Sequence, residues 1–250
     1  MRRVVRRAPG GVALAALVLC AVAGDRPGAA DREATAVPAD RASGAHAAPA
    51  PRVVPRSRWL GSMKTYDRDP VRYGDRVVAV FIHHTDSPNG YDCADVPEII
   101  RFVYAGQAGG KEWDDIGYNF LVDRCGTVYE GRAGGVNRPV VGAHTQGFNQ
   151  DTAGIAAIGT FGEGTPVPRA MADSIAALAA WKLGMSDVDP RSTTRLTSSN
   201  SLSRYKKGTS ADFHTISGHR DGYETECPGE ALMRELPAIR ERAARLQKRG

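Results

Sequence analysis

The sequence lacks an apolar segment of the length that crosses a membrane. Its longest apolar run, residues 12–23, contains 12 residues, whereas a transmembrane helix needs about 20. Four arginines precede this run, and Ala21-Val22-Ala23 closes it, a combination that is typical of a cleaved secretory signal peptide. We therefore predict a signal peptide over residues 1–24, no stable membrane anchor, and secretion to the extracellular side.

The chain also lacks a strong excess of either charge once the predicted signal peptide is set aside. Of the formal net charge of +5, residues 1–24 contribute +4, which leaves +1 for the remainder. Binding to the phosphates of a nucleic acid requires a basic surface, so we expect no nucleic-acid partner.

Large apolar residues are scarce between residues 25 and 51, where Ala, Pro, Arg and Asp dominate. A segment of this composition cannot bury enough surface to offset the entropy cost of ordering its backbone. We therefore predict a disordered linker over residues 25–51, followed by a single folded domain over residues 52–250.

Cysteine is rare, with four in the chain, and Cys20 lies within the predicted signal peptide. The other three, Cys93, Cys125 and Cys227, are an odd number, which in an oxidising compartment leaves one thiol for another task. A bridge between Cys93 and Cys125 closes a loop of about 30 residues and stabilises the fold by roughly 3–4 kcal/mol in the chain-entropy model. We expect this bridge, with Cys227 free to bind a metal; three free thiols are the alternative that an exported protein disfavours.

Two metal-ligand residue types lie close together near the carboxyl end of the sequence. His219 and Cys227 are eight positions apart in a segment rich in glycine and charge, which has to fold back to bring them together. Both are good zinc ligands, and a catalytic zinc site needs a third protein ligand and one open position. His83 and His84 follow the apolar residues 77–82, which indicate a buried strand. Neighbouring strand residues point to opposite faces, so only one of the two can join the site, and periodicity does not select it.

Short apolar runs alternate with helical patterns along the rest of the chain. Residues 120–130 indicate a β-hairpin that turns at Arg124-Cys125-Gly126, and residues 155–159 indicate a further strand. Residues 95–104 and 169–183 show helical spacing of their apolar positions. Strands interleaved with helices predict an α/β fold, a single domain with a central mixed β-sheet flanked by helices.

Three local patterns carry further expectations. Asp95 and Glu98 have the spacing of a capping box, which predicts a side-chain cap at the start of a helix. The polar residues 186–210 predict a long surface loop. Pro237 lacks a backbone donor, so we expect it to separate two helices at the carboxyl end.

Six sequence blocks occur in an order that resembles one family. They are Ile-His-His-Thr, Trp-Asp-Asp-Ile-Gly-Tyr-Asn-Phe-Leu-Val, Val-Tyr-Glu-Gly-Arg, Val-Gly-Ala-His-Thr, Gly-Ile-Ala-Ala-Ile-Gly-Thr-Phe and Gly-His-Arg-Asp followed by Thr-Glu-Cys-Pro-Gly. Together they resemble the peptidoglycan recognition proteins and type-2 N-acetylmuramoyl-L-alanine amidases over residues 52–240. The resemblance implies the fold of that family, Zn²⁺ as cofactor, and peptidoglycan or muropeptides as the partner of a monomer associated with the cell wall. The polar residues 186–210 are long for this family.

The resemblance also implies an activity, zinc-dependent hydrolysis of the amide between N-acetylmuramic acid and the L-alanine of the stem peptide. It implies His83, the first histidine of the pair, as a zinc ligand together with His219 and Cys227. These three ligands would leave zinc the open position that a catalytic site requires.

Three further residues receive roles from the same resemblance. Tyr118 would lie beside the reacting water, and Thr225 would face the substrate carbonyl. His144 falls where the family lines its substrate groove. The residue that accepts the proton stays open among Tyr118, Glu112 and solvent.

A non-catalytic peptidoglycan-binding module of the same fold is the alternative function. Non-catalytic relatives typically replace the cysteine ligand, and because Cys227 is present the resemblance favours the enzyme. A structural zinc site would need a fourth ligand, for which Asp221 and His214 are the candidates.

Overall fold

A six-stranded mixed β-sheet forms the centre of the computed structural model, which describes residues 45–66, 69–111 and 113–250. Its strands are β1 Val53–Val54, β2 Ala79–His84, β3 Phe120–Val122, β4 Val128–Glu130, β5 Thr152–Ala157 and β8 Ile216–Gly218. A separate two-stranded sheet consists of β6 Thr193–Thr197 and β7 Ser210–His214. Across the sheet the order is β1-β4-β3-β5-β2-β8. β2 runs parallel to β5 and β8, and β4 runs antiparallel to β3. The predicted mixed sheet is confirmed.

Helices cover both faces of this sheet. They are α1 Arg56–Leu60, α2 Val96–Tyr104, α3 Arg169–Gly184, α4 His219–Gly222 and α5 Glu230–Leu246. The apolar residues of α3 and α5 pack with Val80 and Ile82 of β2 on one face. α1 and α2 pack with Leu121 of β3 and Ala156 of β5 on the other. No helix among the described residues is long and apolar enough to span a bilayer.

A buried aspartate and a disulfide shape the β3–β4 hairpin. Asp123 accepts hydrogen bonds from the backbone N–H groups of Cys125 (2.9 Å) and Thr127 (2.8 Å), which closes the predicted turn. Cys125 is bonded to Cys93, at the start of the 3₁₀ turn Cys93–Asp95 before α2. The predicted disulfide is therefore present, and it ties the hairpin to the amino-terminal side of α2.

The predicted capping box at Asp95 is wrong. The side chain of Asp95 makes no capping hydrogen bond to α2. Asp92 caps the preceding 3₁₀ turn instead, by accepting a hydrogen bond from the backbone N–H of Ala94 at 2.8 Å. The capping residue is Asp92 and not Asp95 because the chain enters α2 through an additional 3₁₀ turn. The capping-box spacing does not reveal this turn.

The segment predicted as a polar surface loop contains strand β6 and the loop that joins it to β7, most of a β-hairpin. β6 and β7 pair antiparallel from Thr193–His214 to Thr197–Ser210. Leu196 and Phe213 face inward and pack with Phe81 and Phe148. The hairpin forms because these two apolar residues bury themselves against β2, even though most of its residues are Ser, Thr and charged.

The predicted break at Pro237 is also wrong, because α5 continues through the proline. The residues at the buried positions of α5 lie both before and after it: Leu232, Leu236, Ile239, Ala243 and Ala244. A single apolar stripe packs against α3 along its whole length. This packing compensates for the one backbone hydrogen bond that the proline cannot donate.

The predicted linker ends earlier than expected. Ala48 is buried in the main core, and His46 Nδ1 lies 2.7 Å from a carboxylate oxygen of Asp187. Residues 46–50 therefore belong to the folded domain, which the composition of the segment did not reveal. The predicted signal peptide and residues 25–44 of the predicted linker lie outside the described residues.

Candidate metal centre

The candidate ligands meet at the carboxyl ends of two neighbouring parallel strands. Ile82 of β2 pairs with Gly218 of β8, so the residues that follow, His83 and His219, lie side by side. Their ring centroids are 4.4 Å apart. Sequence periodicity could not choose between His83 and His84, but the structure brings only His83 into the cluster with His219 and Cys227.

The segment after β8 folds back and delivers the thiol to the same place. The backbone N–H of Arg220 donates to the carbonyl oxygen of Cys227 at 2.9 Å, which closes the loop. The backbone N–H of His84 donates to Cys227 Sγ at 3.2 Å, and the hydroxyl of Thr225 accepts from the N–H of Cys227 at 3.2 Å. The ligand atoms of His83, His219 and Cys227 consequently lie within 4.8 Å of one another.

The spacing and chemistry of this donor set fit zinc. Cys227 Sγ lies 3.8 Å from His83 Nδ1, while typical Zn–S and Zn–N bond lengths at a tetrahedral angle separate sulfur and nitrogen by about 3.6 Å. Among the described residues no fourth His, Cys, Asp or Glu joins the group. Asp221, one candidate for a fourth ligand, instead accepts a hydrogen bond from the N–H of Gly218 at 2.9 Å. Three ligands match an open catalytic site better than a closed structural one.

Burial drives the candidate ligands toward their uncharged forms. It lowers the pKa of His219 to about 4 and, with the help of the neighbouring histidines, lowers the pKa of His83 well below its ordinary value. Burial also raises the pKa of the Cys227 thiol to about 12, against the opposing effect of the His84 N–H. Neutral imidazoles are the form that binds metal, and a divalent cation would stabilise the thiolate that burial alone disfavours.

His144 lies directly behind His83. Its Nδ1 is 3.2 Å from His83 Nε2 and 3.1 Å from the hydroxyl of Thr145. Its Nε2 is 3.5 Å from the hydroxyl of Thr152, which donates to the carbonyl oxygen of Phe148 at 2.6 Å. His83 Nδ1 faces the thiol, so the proton of His83 belongs on Nε2, where the uncharged ring of His144 accepts it. Sequence reasoning assigned His144 to the substrate groove and missed this contact.

Tyr118 lies beside the same imidazole, with its ring centroid 5.2 Å from that of His83. The side chain of Gln107 lies near the hydroxyl of Tyr118 and lowers its pKa, and the oxygen of that side chain accepts from the N–H of Gly117 at 2.8 Å. Burial raises the pKa of Tyr118 above its ordinary value. Tyr118 therefore keeps its proton at neutral pH and acts as a hydrogen-bond donor.

A cleft with a volume of about 660 Å³ opens above the cluster. Tyr118, His144 and His219 line it, whereas Thr225, which accepts from the N–H of Cys227, is not among its lining residues. Its described walls carry aromatic and uncharged polar side chains and one lysine, Lys111, but no carboxylate. One predicted metal ligand, His219, thus lines the cleft together with Tyr118 and His144.

Among the cleft residues that carried no expectation from the sequence are Gln107 and Asn200. Gln107 lies in the glycine-rich π-helical segment Ala105–Gly110, and Asn200 lies in the segment predicted as a loop. The ring of Tyr223 stacks on His219 with centroids 5.4 Å apart. Only the position of Tyr223, four residues after a candidate ligand, offered a signal in the sequence.

Comparison with known proteins agrees with this geometry. A family model described as N-acetylmuramoyl-L-alanine amidase matches residues 73–230. Peptidoglycan-recognition protein LE of Drosophila melanogaster is 36% identical over 119 residues, 48% of this chain and 33% of that protein. An N-acetylmuramoyl-L-alanine amidase of Sus scrofa is 31% identical over 189 residues, 74% of this chain and 27% of that protein. The chain thus spans a third or less of the length of these two relatives.

A solved structure shares the fold. The crystal structure of peptidoglycan recognition protein LE in complex with tracheal cytotoxin, a monomeric diaminopimelic acid-type peptidoglycan, matches with a TM-score of 0.57 and 26% identity. The match covers 74% of this chain and 92% of that chain. Because the family model spans more than half of the chain and the fold agrees, the chain belongs to the family of the peptidoglycan recognition proteins and type-2 N-acetylmuramoyl-L-alanine amidases.

Proposed function

We propose that this protein is a zinc-dependent N-acetylmuramoyl-L-alanine amidase, which hydrolyses the amide between N-acetylmuramic acid and L-alanine in peptidoglycan. The observation that carries the proposal is the convergence of His83, His219 and Cys227, with His219 lining an open cleft. A three-ligand set of this kind is typical of catalytic zinc sites. Membership of the amidase family supports the substrate class.

Zinc, when bound by these ligands, supplies Lewis acidity and lowers the pKa of a water molecule toward neutrality. The protein's own residues supply orientation. Tyr118 keeps its hydroxyl proton, so it can donate to the carbonyl oxygen of the substrate amide as negative charge develops there. Thr225 accepts from the N–H of Cys227 and still has a hydroxyl proton to donate toward the cleft.

The proton acceptor in the reaction stays without an assigned residue. Tyr118 is a poor base, because its raised pKa means that it is protonated at neutral pH. Glu112, the other candidate from the sequence, lies outside the described residues. The wall of the cleft has no carboxylate among the described residues, and solvent is the acceptor that we propose.

We further propose that the protein is secreted and acts on the cell wall. The disulfide between Cys93 and Cys125 supports an oxidising compartment, because such bonds are rare in reducing cytosol. The apolar segment with arginines before it, over residues 1–24, supports export. The complex of peptidoglycan recognition protein LE with tracheal cytotoxin supports muropeptides as the ligands of this fold.

The experiment that tests the function measures zinc content and amide cleavage together on the full chain, with wild type beside Cys227→Ser. We expect wild type to bind about one zinc ion, as three ligands at one site imply, and to release stem peptides from purified peptidoglycan. Cys227→Ser should lose both properties. Wild type that binds zinc and peptidoglycan but releases no peptide would instead be a binding module of the same fold. Wild type that binds no zinc would overturn the proposal.

A further inference from the structure

The β6–β7 hairpin supplies one wall of the cleft. Ser199 and Asn200, in the loop that joins the two strands, line the cleft together with Tyr118 and His219. From the sequence, this segment was expected to be a long surface loop with little chemistry of its own. Its position beside the candidate metal centre raises the question of what it contributes to substrate binding.

The loop is held rigidly against two segments of the site. The backbone N–H of Ser199 donates to the carbonyl oxygen of Gly147 at 2.9 Å, next to the His144 segment. The backbone N–H of Arg204 donates to the carbonyl oxygen of Gly222 at 3.1 Å, at the end of α4. Tyr205 packs edge-on against Phe148, with ring centroids 5.8 Å apart. A wall anchored in this way can present a side chain to the substrate in a fixed position.

A hydrogen bond to the side-chain oxygen of Asn200 fixes the orientation of its amide group. Its Oδ1 accepts a hydrogen bond from the backbone N–H of Leu202 at 2.8 Å, which assigns the NH₂ group to the other branch of the amide. No residue in the described part of the chain accepts a hydrogen bond from this NH₂ group. Asn200 is half-buried at the cleft, so its two N–H donors are available to a bound molecule.

The same arrangement recurs at another position of the cleft. Asn149 Oδ1 accepts from the backbone N–H groups of His144 (2.8 Å) and Thr145 (2.9 Å). The NH₂ group of Asn149 is therefore also the branch of the amide that stays available as a donor. With Lys111 and without a carboxylate among its described lining residues, the cleft offers donors and positive charge. It is therefore complementary to carbonyl and carboxylate oxygens, which muropeptides carry on their acetamido sugars and on their stem peptides.

We propose that Asn200 is a specificity-determining residue, whose side-chain NH₂ donates a hydrogen bond to a carbonyl or carboxylate oxygen of the bound muropeptide. The inference deepens the proposed function and rests on muropeptides being the ligands of the cleft. It assigns to the β6–β7 hairpin a direct role in selecting the substrate, in addition to its packing on β2.

Asn200→Asp is the sharpest test, because an aspartate keeps the oxygen that accepts from Leu202 but lacks the NH₂ donors. Leu202→Ala is the matched control: it alters the same turn at a side chain that is 73% exposed. We expect Asn200→Asp to raise KM and Kd for N-acetylmuramyl-tripeptide by about tenfold, with kcat and zinc content unchanged. Leu202→Ala should behave as wild type.

Binding and hydrolysis are measured separately, so that the two proposals fail in different ways. If wild type binds the muropeptide without cleaving it, the proposed hydrolysis fails while the Kd values still test Asn200. If Asn200→Asp matches wild type in both KM and Kd, the role of Asn200 is refuted and the amidase stands. An effect of Asn200→Ala that Asn200→Asp does not share would also refute it, because the turn alone would then matter. Wild type that neither binds nor cleaves would overturn both.

A second substrate shows which part of the muropeptide accepts the hydrogen bond from Asn200. N-acetylglucosaminyl-N-acetylmuramyl-tripeptide carries one sugar more than N-acetylmuramyl-tripeptide. A penalty of Asn200→Asp that is equal for both substrates places the acceptor on the muramyl-peptide. A penalty seen only with the disaccharide would place the contact on the outer sugar and would refute donation to the muramyl-peptide.

Discussion

Replacement of His144 by alanine tests whether this residue orients the metal ligand His83. In the folded protein His144 is 5% exposed, and its Nδ1 lies 3.2 Å from His83 Nε2. The substitution removes this acceptor. The hydroxyl of Thr145, at 3.5 Å from His83 Nε2, is too distant to replace it well. The N–H of His83 would then be buried without a good partner, and the imidazole would be free to rotate.

The size of the effect follows from the contact. Leaving a buried neutral donor without its partner costs about 1–2 kcal/mol. This cost falls on the zinc-bound state, where the proton of His83 must be on Nε2. It corresponds to a loss of zinc affinity of roughly 5- to 30-fold, which overlaps the lower end of the roughly 10- to 100-fold range for residues that orient metal ligands. His144→Gln, whose side-chain oxygen can accept the same hydrogen bond, should recover part of the affinity.

The assay is competition for zinc between the protein and a chromogenic chelator. Thermal unfolding in excess chelator serves as the control, because it shows how far the smaller side chain destabilises the metal-free fold. Zinc affinity within twofold of wild type for His144→Ala would refute the orienting role. A raised KM for muropeptide with unchanged zinc affinity would return His144 to the substrate groove, as the sequence suggested.

Two further predictions concern the catalytic donor and a buried cation. Tyr118→Phe removes a hydroxyl but no metal ligand, so kcat should fall by about 100- to 1000-fold with full zinc content; an unchanged kcat would make Tyr118 a packing residue. Burial lowers the pKa of Lys182 to about 8, although its ammonium donates to the carbonyl oxygens of Val136 and Arg138. Between this value and its ordinary pKa of 10.5 the unfolded chain binds a proton that the folded chain does not, so stability rises with pH. Between pH 7 and pH 10.5, the free energy of unfolding measured with urea should rise by about 3 kcal/mol more for wild type than for Lys182→Met. An equal change in both proteins would contradict the lowered pKa of Lys182.

Local patterns predicted the parts of the fold whose causes are local. The apolar spacing of α3 and the turn of the β3–β4 hairpin were found close to their observed positions, because each depends on residues that are neighbours in the chain. The pairing of Cys93 with Cys125 followed from counting cysteines in an exported chain. The errors arose where distant packing decides. The stripe of α5 against α3 carries the helix through Pro237, and Leu196 and Phe213 fold a polar segment into a hairpin.

The candidate site divides in the same way. The residue types and their order along the chain were sufficient to predict the family and the chemistry of the ligands, because imidazole and thiolate bind zinc wherever they are placed. Only the tertiary structure decided which of His83 and His84 joins the cluster, through the pairing of β2 with β8. It also placed His144 behind His83 and brought Asn200 to the cleft. These positions depend on contacts between residues more than fifty positions apart, which no periodicity within a single segment can encode.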